Sequence, residues 1–261
     1  MVNTALTVAG SDPSGGAGVQ ADLNTFSRLG VYGTSVIVAL TAQNTTGVSA
    51  VMDVPADFVA RQWEAVMSDI PVNAMKTGML GNASNVEVAA EMIDKYGLKN
   101  VVVDPVMAST SGAKLLASDA IDTVKKQLLP RALLTTPNAD EARILTGIEV
   151  RSQEDMEEAA KRLRAMGSQY VLVKGGHMEG DAVDVLFDGS VFNYFRSVRI
   201  GHTNIHGTGC VLSAAITAYL ALGNPVDDAV RLGKDFITEA IATSLKIGKG
   251  AWPCNASGLE S

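Results

Sequence analysis

Short β-branched runs alternate with amphipathic stretches along almost the whole chain, and this alternation limits the fold more than any other feature. Residues 4–9, 35–41, 48–54, 74–77, 101–104, 133–136 and 170–174 read as strands. Residues 18–29, 55–69, 85–96, 118–128, 139–145 and 152–166 read as helices between them. Pro55 suits the first position of its helix, Ser152 suits an N-cap, and Gly147 and Gly167 end two helices. Residues 182–187 and 191–195, joined through Asp188-Gly189, read as a hairpin. A helix follows Cys210 and stops near Gly223; Asn224 caps the last helix, with Pro225 at its first position. Helices alternating with strands imply a mostly parallel sheet covered on both faces, with the hairpin as an antiparallel edge. No linker, repeat or low-complexity segment divides residues 1–261, so one domain is expected, with a frayed tail from 251.

Composition narrows the function. With 261 residues, 47% of them hydrophobic, the chain can bury a large core. The net charge is -7 without a basic block, which argues against binding nucleic acid through its backbone. A nucleotide stays allowed, because its phosphates need only local donors and a metal. The two cysteines and three histidines are scattered, so neither a disulfide framework nor zinc spacing exists. No leader pattern or membrane-length apolar stretch is evident, so a reducing, cytoplasmic location without membrane contact is expected.

The unusual residues fall at strand ends, where open α/β sheets bind ligands. The first strand runs into Gly10-Ser11-Asp12-Pro13-Ser14-Gly15-Gly16-Ala17-Gly18. Later ones end in Lys76-Thr77-Gly78-Met79, Asp104-Pro105-Val106-Met107, Thr136-Pro137-Asn138 and Lys174-Gly175-Gly176-His177. The run His206-Gly207-Thr208-Gly209-Cys210 precedes an apolar helical pattern. Its glycines let backbone N–H groups converge at a helix start, which attracts anions. Cys210 on that first turn lies in a field that favours a thiolate. A small buried cysteine behind a pliant loop fits the same residues.

Asp104, Asn138 and Glu141 offer hard oxygens suited to Mg²⁺, and equally Asn138 and Glu141 fit a capping box. Lys174 needs an anionic partner: a phosphate, Asp184 or another carboxylate. The Gly15–Gly18 run suits either a tight turn or close approach to a ligand. No Walker lysine, dinucleotide fingerprint or nucleophile elbow is present.

Taken together, these motifs resemble the ribokinase-like superfamily and, within it, the hydroxymethylpyrimidine/phosphomethylpyrimidine kinases of thiamin biosynthesis. The resemblance rests on residues 9–22, 104–107, 136–142, 174–177 and 206–210, and runs from about 4 to 253. It implies a three-layer α/β fold with a mostly parallel central sheet, helices on both faces and an antiparallel edge hairpin. It implies ATP and Mg²⁺ as cofactors, an aminopyrimidine as substrate, and a homodimer. Gly207, Thr208, Gly209 and Cys210 would form the anion hole, with Cys210 where most relatives carry an Asp base. Lys174, Asn138 and Thr208 would contact ATP, and Asp104 and Glu141 would lie around the metal. Gly10, Ala17, Asp22, Gln43, Met79 and Val106 would line the pyrimidine pocket. Gln43 would hydrogen-bond the ring edge; read alone, it is a polar residue at a strand end. One departure stands out: Thr110 replaces the lysine that the family carries before Ser-Gly, with Lys114 nearby.

The implied reaction is ATP-dependent phosphorylation of 4-amino-5-hydroxymethyl-2-methylpyrimidine and then of its monophosphate. Cys210 would take the hydroxyl proton in the first step, and a neutral thiol would repel the anionic second acceptor less than a carboxylate. A pyridoxal kinase of the same superfamily is the nearest alternative. A non-catalytic nucleotide- or vitamin-binding regulator is the alternative of another class.

Overall fold

The computed structural model describes residues 2–107, 117–176, 182–200 and 205–260. In chain order they form β1 (Thr4–Ser11), α1 (Gly18–Arg28), β2 (Tyr32–Asn44), β3 (Gly47–Asp53) and α2 (Ala56–Met67). Next come β4 (Ala74–Thr77), α3 (Ala83–Tyr96), β5 (Val101–Val103), α4 (Ser118–Thr123), β6 (Leu134–Thr135), α5 (Ala139–Thr146) and α6 (Gln153–Ala165). The chain continues with β7 (Tyr170–Val173), β8 (Ala182–Phe187), β9 (Phe192–Ser197) and β10 (Ile205–His206). It closes with α7 (Thr208–Ala221), α8 (Val226–Ala242) and β11 (Trp252–Pro253).

Nine strands make one sheet in the order β3-β2-β1-β4-β5-β6-β7-β8-β9. The six from β2 to β7 are parallel neighbours. Alternate side chains enter two helix layers, as pleated geometry requires. Leu6, Val8, Val101 and Val103 meet Trp63 of α2, Ile93 of α3 and Leu163 of α6. Ala5, Val102, Leu134 and Leu172 meet Phe26 of α1, Ile216 of α7 and Ile237 of α8. The α/β three-layer expectation therefore holds, with the hairpin β8–β9 at one margin. No helix among the described residues is long and apolar enough to cross a membrane.

Four details differ from the sequence reading. The other margin is also antiparallel, because β3 folds back on β2. Residues 118–128 are not one regular helix. After α4 the chain widens into a π turn at Val124–Leu128 and tightens at Leu129–Arg131. Pro130 lacks an N–H and crowds the carbonyl four residues back, which disfavours a regular turn there. Pro55 and Pro225 stand one place outside their helices, since ψ of 137° and 160° keeps each extended. The tail does not fray: β11 pairs with β10, and Pro253, Cys254, Asn255 and Ala256 are buried.

The connection leaving β1 runs to β2 on one side, while β4 lies on its other side. Such a reversal opens a crevice beyond the carboxyl ends of the strands. The site lies there.

Candidate active site

The crevice is a cavity of about 790 Å³, lined by the ends of β1, β4, β5 and β7 and by the start of α7. Of the residues singled out from sequence, Gly10, Ala17, Gln43, Met79, Val106, Asp104, Asn138, Glu141, Lys174 and Gly207 to Cys210 all line it. His177, Thr110 and Lys114 lie outside the described residues.

The start of α7 is shaped by contact as well as by sequence. Gly207 has φ +83°, and a Cβ there would sit 1.8 Å from Gly16 O. Only glycine fits both demands. The Gly-rich loop after β1 thus lies directly against the turn before α7. Asp12 ties the two together. Its carboxylate accepts from Ser14 N, Ser14 Oγ and Ala17 N at 2.9, 2.7 and 2.9 Å, and it lies 3.0 Å from His206 Nε2. Burial opposes ionisation of Asp12, but the hydrogen bonds from His206 and Ser14 outweigh it and hold the carboxyl below its usual range. Gln43 Nε2 lies 3.1 Å from His206 Nε2. Met79 covers Gly10 so closely that a Cβ at Gly10 would meet its Cε at 2.4 Å.

A second cluster lies around Lys174. Its Nζ is 3.0 Å from Asp104 Oδ1 and 3.9 Å from Glu141 Oε2. Burial acts against this charge, but Asp104 and Glu141 outweigh it and raise the Lys174 pKa. Lys174 therefore has carboxylate partners, although not Asp184, which binds Lys234 Nζ at 2.6 Å. A Cβ at Gly209 would stand 3.2 Å from Lys174 Nζ. The missing side chain lets the ammonium group sit against the first turn of α7. That turn joins the two clusters: Gly209 borders Lys174, and Gly18 N–H hydrogen-bonds the Cys210 thiol.

The capping reading of the Asn138–Glu141 pair holds. Glu141 N donates to Asn138 Oδ1, and Asn138 N donates to Glu141 Oε2, each at 2.8 Å. Burial, with Asp104 nearby, still pushes the Glu141 carboxyl up to about 7, although Lys174 acts to lower it. Asp104 is engaged on both oxygens. Oδ1 accepts from Lys174 and from Thr136 Oγ1 at 3.2 Å, and Oδ2 accepts from Ser213 Oγ at 3.0 Å. It anchors Lys174 and is not a free metal ligand.

Two further expectations change. Asp22 does not line the cavity. It is completely buried behind it, accepting from Lys76 Nζ at 2.8 Å and Thr7 Oγ1 at 2.6 Å. Lys76 is as deeply buried, and burial opposes its charge, but Asp22, Cys210 and Asp104 together raise its pKa. The half-buried Cys210 is not a thiolate. Burial pushes its thiol up to about 11, with Asp22 and Asp104 adding to the rise, against the opposing pull of Lys76 and Gly18 N–H. The helix start does not overcome that cost.

Lys76, Asp12 and His206 stand in the strand-end motifs read from the sequence, but were given no individual role there. The signal for Lys76 is a cation inside an otherwise apolar strand. The signal for the other two is weaker, since Asp and His are ordinary in loops.

A family model for phosphomethylpyrimidine kinase matches residues 12–255. The chain is 51% identical over 251 residues to the thiamine biosynthesis bifunctional protein ThiED of Geobacter sulfurreducens, covering 96% of this chain but 51% of that protein. It is 45% identical over 253 residues to the hydroxymethylpyrimidine/phosphomethylpyrimidine kinase of Bacillus subtilis, covering 96% and 93% of the two chains. The ADP complex of Bacillus subtilis pyridoxal kinase superposes with a TM-score of 0.92 at 40% identity, covering 98% of each chain.

Proposed function

The chain belongs to the phosphomethylpyrimidine kinase family, and from that membership we propose that it transfers the γ-phosphoryl group of ATP to an aminopyrimidine alcohol and then to its monophosphate, in thiamin biosynthesis. One observation carries the reading: the first turn of α7 lies between a cationic cluster and a small polar pocket. Lys174 stands on one side, and Gln43, Met79 and Gly10 stand on the other. Phosphoryl transfer depends mainly on holding donor and acceptor in line and on neutralising spread charge. The amides of Thr208, Gly209 and Cys210, on the first turn of α7, have no helical partner four residues back and would hold phosphoryl oxygens. Lys174 would hold the phosphates of ATP. The same register supports roles for Asn138 and Thr208 beside the nucleotide, and for Ala17 and Val106 against the ring.

Magnesium fits this donor set in a limited way. A buried carboxyl pushed up to about 7 is only partly compensated by Lys174 and leaves room for further positive charge. No group of three or more His, Cys, Asp or Glu among the described residues can cage an ion. Glu141, through water, would border an Mg²⁺ carried mainly by phosphates, which when bound neutralises charge on the transferring group.

Cys210 acts in this reading as a neutral thiol. At about 11 it keeps its proton near pH 7. In a loose transition state the acceptor proton leaves late, so a strong base is not required. The absence of charge matters most for the second acceptor, which is already an anion. Two free cysteines and ATP dependence agree with a cytoplasmic location; a homodimer rests on the resemblance alone.

The test compares kcat/KM of the purified protein with Mg-ATP on 4-amino-5-hydroxymethyl-2-methylpyrimidine, its monophosphate and pyridoxal. We expect both pyrimidines to be at least tenfold better than pyridoxal. Failure to turn over either pyrimidine would sink the reading, and a preference for pyridoxal would move the protein to the pyridoxal kinases, which the TM-score of 0.92 keeps in view.

A further inference from the structure

His206 faces two partners through one atom. Its Nε2 lies 3.0 Å from Asp12 Oδ2 and 3.1 Å from Gln43 Nε2. An ionised carboxylate only accepts, so the shared nitrogen must carry a proton. A proton-bearing nitrogen repels an amide N–H. The Gln43 amide relieves this by half a turn about its terminal torsion, which exchanges oxygen and nitrogen without changing shape. Its oxygen then faces His206 and its NH₂ group faces Thr41.

The other end of the amide leads independently to the same answer. The Gln43 atom placed as Oε1 lies 3.2 Å from Thr41 Oγ1, whose shorter and stronger contact is the one it donates to Ser11 O at 2.9 Å. A hydroxyl has one proton. With that proton on the Ser11 carbonyl, Thr41 offers a lone pair, and an NH₂ group is what satisfies it. Both neighbours therefore select one orientation, whether His206 is neutral or doubly protonated.

We propose that His206 is a positioning residue that fixes the polarity of the Gln43 amide, acceptor toward His206 and donor toward Thr41, and thereby fixes the orientation of the substrate ring. This rests on the aminopyrimidine reading above. An aminopyrimidine edge places an accepting ring nitrogen beside a donating amino group. Against an amide of fixed polarity it fits one way only: ring nitrogen toward Thr41, amino group toward His206. The hydroxymethyl group is adjacent to the amino group on the ring. It is then turned to the His206 side, where Gly207 to Cys210 follow directly in the chain. The hydrogen-bond pattern that recognises the ring also delivers its reacting oxygen to the phosphoryl site.

The test uses the full chain and two substrates, the amino compound and its 4-oxo analogue, whose edge has donor and acceptor reversed. We expect wild-type kcat/KM to favour the amino compound by about 10²-fold or more, because a reversed edge leaves buried polar groups unpaired. In His206→Phe only Thr41 is left to orient the amide, and its hydroxyl can turn its proton from Ser11 O to Gln43 instead, so both orientations become accessible and the ratio falls to about tenfold or less, mainly through KM for the pyrimidine. His206→Gln keeps an N–H toward both partners and restores the ratio. An unchanged ratio in His206→Phe overturns the proposal. A separate measurement on wild-type protein needs neither turnover nor a variant that folds. The ¹⁵N shift of His206 must show a protonated Nε2, and a bare Nε2 overturns the proposal. Absence of turnover with both pyrimidines would defeat the functional reading while the nitrogen shift still decides the amide polarity.

Discussion

Glu141 gives the sharpest quantitative expectation. Its carboxyl is buried, held near 7, and its ordinary value is 4.5. In the folded protein it keeps its proton up to about 7, whereas the unfolded chain releases it near 4.5. Between those values the folded state binds more protons, so this group's contribution is largest below pH 4.5 and is lost as pH rises through 7. The rise from 4.5 to about 7, at about 1.4 kcal/mol for each pH unit, sets an upper bound of about 3.5 kcal/mol. On the proposed reading, binding of Mg-ATP would bring positive charge beside the carboxyl and return it to the ionised form. The proton must then leave: about 0.9 per site at pH 6, about 0.5 at pH 7 and about 0.1 at pH 8. Titration calorimetry in buffers of different ionisation enthalpy counts those protons. Glu141→Gln retains the oxygen that caps Asn138 N–H, so α5 should persist while the titrating group is gone. Subtracting the variant removes protons that belong to the nucleotide. Equal proton release by the two proteins from pH 6 to 8 would refute the argument, as would stability curves of equal slope between pH 4.5 and 7.

Three other outcomes are expected. Lys76→Met strands a buried Asp22 and should cost about 3–5 kcal/mol in urea unfolding, while adding Asp22→Leu should recover half or more; a surface-like loss under 1 kcal/mol would contradict the ion pair. Gly207→Ala combines φ +83° with a 1.8 Å overlap on Gly16 O, so about 3 kcal/mol of stability and at least 10²-fold in kcat should be lost, and near-normal kinase activity would argue against the amide site. Cys210→Asp should spare the first phosphorylation relative to the second, with the monophosphate losing at least tenfold more in kcat/KM through like-charge repulsion; equal losses would mean that neutrality at this position is irrelevant.

Alternation and helix-end chemistry were legible because they are local. Gly147 and Ser152 mark helix ends through their own short-range geometry, whereas the Asn82 cap of α3, three residues ahead of the expected start, was not read. The direction of β3 was not legible, since two runs separated by Asn44-Thr45-Thr46-Gly47 look alike whether they pair or diverge. The cavity-lining motifs were found because strand ends collect in one crevice. Their partners were harder to find. Asp104 could have met a metal, and only the fold brings Lys174, Thr136 and Ser213 to it. Asp22 looked like a ligand because it belongs to a familiar run, yet the twist of β1 and α1 turns it inward to Lys76. The Cys210 thiol failed for a similar reason: a helix start is visible in sequence, but desolvation by neighbours is not.

The pairing of β11 with β10 sets a timetable for synthesis. His206 O accepts from Cys254 N, and Asp12 reaches across to His206. Residues near both extremes of the described chain thus meet at the turn before α7. During translation, domains form as their segments emerge at about 5–20 residues per second. The first strands and their helices can assemble early, but the turn before α7 lacks its brace until residues 252–256 leave the ribosome. The turn before α7 therefore settles only after the strands of the sheet, and loss of residues 252–256 should abolish the proposed kinase activity while most of the sheet stays intact.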